Sequence, residues 1–190
     1  MAVSKKTALL GVDDCKIYPI TADTSTTFTC GTGVDVPGIK QISITLEVDE
    51  KELTGDERTL ATSAKIKSVT FNTEYAKLSQ EVLAILAGGT QSSATNTETF
   101  RIDEDSLPGY FQLQAQIKGV DDIPNGDCHF IVYKAKATAL PINGTEGDYA
   151  TYTFDGRGVF TECKWSDSKS RLCDIVYNAT AADLAAVTKP

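Results

Sequence analysis

The sequence predicts a mainly β domain with one short helix, arranged as a β-sandwich or small β-barrel. Three observations predict it. Alternating apolar and polar runs recur along the chain, with turn residues between them about every ten positions. Two of the runs, Lys40–Asp49 and Ala64–Thr73, are long and nearly adjacent. A single helical pattern, within Leu78–Gly89, follows them.

In the first long run Ile42, Ile44, Leu46 and Val48 share one phase, while Ser43, Thr45, Glu47 and Asp49 share the other. Such alternation puts one face in a core and leaves the other wet or at an interface. In the return run Ala64 and Ile66 hold one phase and Val69 and Phe71 the opposite one, which predicts a β-bulge near Lys67–Ser68. The helix is expected over 79–88. Ser79 is its N-cap, Leu78 and Leu83 suit a hydrophobic staple, and Gly88-Gly89 supplies the stop. Val82, Leu83, Ile85 and Leu86 form an apolar stripe that must pack on a sheet.

The remaining elements are shorter. Residues 1–14 read as an extended N-terminal arm, and Cys15–Ile20 as a strand broken at Pro19. Gln91–Thr97 reads as a polar loop. Phe111, Leu113, Ala115 and Ile117 alternate with Gln112, Gln114, Gln116 and Lys118, giving a strand with a wet face. Cys128–Tyr133 is apolar on both faces and reads as a central strand. A last hairpin is expected through Val159–Cys163 and Leu172–Tyr177, with 178–190 as a tail. No repeat or linker divides the chain, so 1–190 is read as one domain.

Composition narrows the function classes. A hydrophobic fraction of 41% and a charged fraction of 23% are those of a globular domain. The net charge of −8 argues against a nucleic-acid binder, which needs a basic surface. The apolar run after Lys5-Lys6 is too short for a signal peptide, and no stretch reaches membrane-span length. A reducing cytosol is therefore the expected place of synthesis. The five cysteines, Cys15, Cys30, Cys128, Cys163 and Cys173, show no Cys-x-x-Cys spacing and read as free thiols. Cys163 and Cys173 flank a turn symmetrically and are expected to stay reduced.

A search for chemistry finds little. His129, the one histidine, sits beside Cys128, but neighbours on a strand point to opposite faces, so it reads as a satisfied core histidine. Asp103-Glu-Asp105 and Asp121-Asp122 lack the spacing of a calcium loop. No dinucleotide, phosphate-loop or nucleophile-elbow motif occurs. The expectation is no catalytic residue, no metal and no cofactor; the missing constellation argues against an enzyme.

One feature is left over. The segment 49–62 carries Asp49, Glu50, Glu52, Asp56 and Glu57 against Lys51 and Arg58, with Leu53 and Leu60 embedded in it. It reads as a loop of about a dozen residues, longer than a hairpin needs, and such loops tend to be functional. Glu50, Glu52, Leu53, Asp56, Arg58 and Leu60 are the candidate inter-subunit contacts.

Gly38-Ile-Lys-Gln-Ile-Ser-Ile-Thr-Leu-Glu47, Glu52-Leu-Thr-Gly-Asp-Glu-Arg-Thr-Leu-Ala61 and Tyr75-Ala-Lys-Leu-Ser-Gln-Glu-Val-Leu-Ala-Ile-Leu-Ala-Gly-Gly89 are carried in that order. Together with Pro108–Leu113 and Asp148–Phe154, they make the sequence resemble the major tail tube protein of long-tailed, non-contractile bacteriophages. The resemblance implies a β-sandwich flanked by a helix. It implies hexameric rings whose inner strands join into one continuous β-barrel, stacked into a tube in the virion through which DNA passes without specific binding. It implies tail terminator, tape measure and baseplate proteins as partners. On the same ground Ser43, Thr45 and Glu47 are expected to face the lumen, as part of an acidic wall that repels DNA. A virion binding, baseplate or decoration module and a secretion-type tube protein would share the β pattern.

Overall fold

Wherever apolar and polar residues alternate, the backbone is extended and paired. The computed structural model describes residues 9–55, 58–120, 125–142, 146 and 149–190, with backbone alone at 55 and 58–60. The strands are β1 (Leu9–Asp23), β2 (Phe28–Cys30), β3 (Val34–Asp35), β4 (Ile39–Gly55) and β5 (Arg58–Tyr75). Helix α1 (Gln80–Ala87) follows, then β6 (Thr90–Ala94) and β7 (Thr97–Arg101). The chain continues with β8 (Phe111–Gly119), β9 (Asp127–Ala139), β10 (Tyr152–Val159) and β11 (Cys173–Asn178).

One sheet holds nine of the strands, in the order β2-β1-β8-β9-β10-β5-β4, with β11 on β9 and β3 on β1. Every pairing is antiparallel. The sheet curls into a half-barrel that brings β1 towards β4. The expected mainly β class with one short helix is therefore what the chain adopts, as a single curled sheet.

Both faces of β9 are covered, as its sequence predicts. Inside the curl, Val132 and Ala135 pack with Cys15, Ile17, Val69, Phe71, Phe111, Leu113 and Phe154. Gly156 permits this packing, because a Cβ there would meet the Phe71 ring at 2.2 Å. On the outer face Ile131 and Tyr133 join Phe28, Cys163 and Trp165 in a second cluster.

Helix α1 closes one end of the curl. Ser79 accepts from the Val82 N–H at 3.4 Å, and Gly88 ends the helix at φ 73°. Val82 and Leu86 are buried in the main cluster beside Val36 and Tyr75. The bulge falls where the phase slip predicts: Glu47 faces Ser68, Val48 faces Ile66, and Lys67 is extra.

Four expectations need correction. Residues 9–14 are not a free arm; they pair with β8, and β1 runs on through Pro19. (Residues 1–8 lie outside the described part.) The polar stretch after the helix is a hairpin, β6–β7, turning at Asn96 with φ 64°. The last hairpin keeps only its tip, where the Thr161 N–H donates to the Arg171 carbonyl and the Trp165 N–H to the Lys169 carbonyl; its strands pair with β9 and not with each other. β11 pairs with β9 over Asp127–Val132, and β10 pairs with the same edge of β9 over Lys134–Ala139. The sheet thus forks at β9, and the crossing between the branches is pinned where Asp23 accepts from the Glu162 and Cys163 N–H groups and pairs with Lys134. Finally, the glutamine face of β8 is covered. The tail beyond Asn178 lies over it as a strap: Gln112 bonds Val187 through both amide atoms, Gln114 donates to Ala185 and Gln116 to Ala182. The strap ends in a bridge between Phe28 and Lys189.

Candidate functional site

The segment expected as a loop is a pair of strands. β4 and β5 stay paired as far as Gly55 and Arg58, with Asp49 opposite Lys65, Lys51 opposite Ser63 and Leu53 opposite Ala61, and a one-residue slip before Thr54 meets Thr59. Two causes favour strands over a loop here. Asp49 and Lys65 set opposite charges across the ladder, and Thr54, Thr59 and Thr62 are good strand formers. The charge-rich composition that reads as a loop is that of a ribbon wet on both sides.

From Val48 the ribbon leaves the body. Residues 48–54 and 61–67 are exposed on both faces. At ~3.4 Å per residue this arm reaches about 25 Å. A two-stranded ribbon is marginal in water unless something covers it. Apolar side chains wait along it: Leu46 is 47% exposed, Val48 49%, Ile66 42% and Leu53 61%. Covering the exposed half of each is worth about 1 kcal/mol. The outer edge of β4 bonds to no strand among the described residues, so its backbone groups are also open.

The candidate contact residues divide by face. Glu50 and Glu52 share a phase with Leu46 and Val48, so the apolar side of the arm ends in two carboxylates. Leu53 lies on the opposite side, with Asp49 and Lys51. Arg58 and Leu60 are placed by backbone on β5, and Asp56 lies outside the described residues.

Ser43, Thr45 and Glu47 lie on the outer face of the body, where the register extends them into rows. Ser43 is level with Asn72 and Asp155, and Thr45 with Thr70, Arg157 and Lys136. Thr70 donates to Glu47 at 3.2 Å, Asn72 donates to Asp155, and Arg157 donates to Ser68 at 3.0 Å. This face is mixed in charge and not acidic alone: β10 and β9 bring Arg157 and Lys136 level with Thr45, between the rows of Glu47 and Asp155. Neighbouring strands decide this charge, and they are remote in sequence.

The thiols and the histidine are structural. All five cysteines are free. Burial, reinforced by Asp127, pushes the Cys128 thiol up to about 11, and burial with Asp14 and Asp35 raises Cys15 further. His129 is buried, with Nε2 at 3.1 Å from both Asp127 Oδ2 and the Ala182 carbonyl. Among the described residues no three His, Cys, Asp or Glu side chains group as a metal site requires, and no helix is long and apolar enough to cross a membrane.

Sequence reasoning missed the knot that anchors the strap. Asp127 accepts from the Ala182 N–H at 2.9 Å, from Asn178 at 2.7 Å, and from Gln116 and His129. The only signal was the odd placement of Asp127 at the head of the most apolar strand.

Neither a protein-family model nor a curated protein matches this sequence. Among solved structures, the chain is similar to a chain of the six-fold symmetrised baseplate of the anti-feeding prophage. The two share 10% identity at a TM-score of 0.45, over 90% of this chain and 97% of that one.

Proposed function

We propose that this protein is a structural subunit of a phage tail, polymerising as stacked hexameric rings into the tube that conducts DNA during ejection. The observation that carries the reading is the arm. A ribbon exposed on both faces, apolar at its root and charged beyond, is stable only when a neighbour covers it. The open edge of β4 asks for the same neighbour. The order of motifs shared with tail tube proteins names the kind of assembly. On this reading Glu50, Glu52, Leu53, Asp56, Arg58 and Leu60 are inter-subunit contacts, and Ser43, Thr45 and Glu47 face the lumen. Tail terminator, tape measure and baseplate proteins are the partners at the tube's ends and centre. The net charge of −8 suits a conduit that DNA crosses without being held.

Electron microscopy and sedimentation of the purified protein test the proposal. Tubes or stacked rings support it. Single closed rings that never stack favour a baseplate or decoration role, and a lone monomer at every concentration overturns it. The arm is tested by a symmetric deletion. Residues 50–64 are removed and Asp49 is joined to Lys65 through Asn-Gly, since Glu50 and Ala64 face each other. The shortened protein is expected to fold as a monomer with unchanged far-ultraviolet circular dichroism and to form no tubes.

A further inference from the structure

The β4–β5 ribbon has two ends, and each carries something unfilled. At one end is the arm. At the other, where Ile39 faces Tyr75, the chain opens a cleft between the start of α1 and the β6–β7 hairpin. Pro37 and Lys77, the residues flanking the ribbon, line it together with Leu78, Gln80, Gln91 and Ser92. Its volume is about 610 Å³. Its walls carry one cation, Lys77, two carboxylates, Glu81 and Glu98, and the exposed Leu78. The hairpin on one side is itself exposed on both faces, apart from the half-buried Phe100.

Resting on the reading that the chain assembles through its arm, we propose that this cleft receives the β4–β5 arm of a second copy. Three observations select that occupant. The first is position. Arm and cleft sit at opposite ends of one element about 55 Å long at ~3.4 Å per residue, so a shift along the ribbon brings one to the other. Contacts between unlike ends are head-to-tail and propagate without limit, as a stack requires. The second is chemistry. The arm presents Glu50 and Glu52 on one face and Lys51 with exposed Leu53 on the other; the cleft presents exposed Lys77 and Leu78 together with Glu81 and Glu98, so unlike charges can meet in both directions. A carboxylate–ammonium pair and a leucine pair are thus both available. The third is shape. A two-stranded ribbon entering the cleft lies against another two-stranded ribbon, and their edge groups then satisfy each other.

Two measurements on the full-length protein test this. In assembled material, a zero-length carbodiimide links carboxylates to amines that already touch. Mass spectrometry of a mixture of isotopically light and heavy chains then reports only inter-chain links. A link between Glu50 or Glu52 and Lys77 is expected. The second measurement is a charge exchange. Lys77→Glu and Glu52→Lys are each expected to raise the critical concentration for assembly about tenfold or more, because like charges then meet. The double variant is expected to return to within about threefold of the parent. All these positions are exposed, and unchanged circular dichroism confirms that the variants fold. If the parent assembles and the arm deletion does not, yet Lys77→Glu assembles like the parent and the arm carboxylates link elsewhere, the cleft is wrong and the arm reading stands. If the parent never assembles, both fall.

Discussion

Asp127 does more for this fold than any other polar side chain. It is 1% exposed, and two of its four donors, the Ala182 N–H and Asn178, belong to the strap and its approach. Asp127→Ala would leave those part-buried donors, and the buried His129, without their carboxylate. The expected loss is about 3–5 kcal/mol in urea unfolding, together with protease cleavage after Asn178; a loss under about 1 kcal/mol would contradict the knot. The same residue sets an acid limit. Burial works to raise its pKa, but the hydrogen bonds from Ala182, Asn178, Gln116 and His129 outweigh it and hold the carboxyl below the usual 3.8. Asp23 is likewise lowered against burial, by Lys134 and the Glu162 and Cys163 N–H groups. A lowered carboxyl contributes stability in full above its unfolded pKa and loses it as pH falls through the folded one. Stability should therefore be level near neutrality and drop below about pH 4, with the drop reduced in Asp127→Asn.

At the scale of elements, the apolar face of the helix is a plug in the sheet. Leu86 is fully buried among sheet residues, so Leu86→Asp places an unpaired charge in the main cluster and should abolish soluble folding. A well-folded Leu86→Asp monomer would instead make this face an interface. The helix was also the most legible element: Ser79, Gly88 and the stripe from Val82 to Leu86 are local signals, and local geometry answers them. The bulge at Lys67 was legible for the same reason. The arm was not. Glu50, Lys51 and Glu52 are poor strand formers taken alone, and what holds them extended is the facing strand, Thr62 to Lys65, which no local pattern reports. The strap was hidden in the same way. Alternation correctly put Gln112 and Gln114 on a polar face, but nothing nearby said that residues 182–187 would cover it. Of the candidate contact segment, the charge pattern was legible and the conformation was not.

At the scale of the whole molecule, the antiparallel sheet runs unbroken from β2 to β4 and should unfold as a unit. Fluorescence of Trp165, in the outer cluster, and far-ultraviolet dichroism are expected to report one coincident thermal transition. Separate transitions would mean that the fork at β9 divides the fold. That fork also has a mechanical consequence. Because β11 takes the lower half of the β9 edge, β10 is the one strand that hydrogen-bonds the arm side of the sheet to β9, over the seven pairs from Tyr152–Tyr75 to Gly158–Val69. A pull along the ribbon loads all of those pairs in shear at once, whereas a sideways pull peels them singly. The subunit is therefore strong in tension along the direction of the arm and weak across it. Force spectroscopy through handles at residues 53 and 187 should give a higher rupture force than handles that pull β5 away from β10 at right angles.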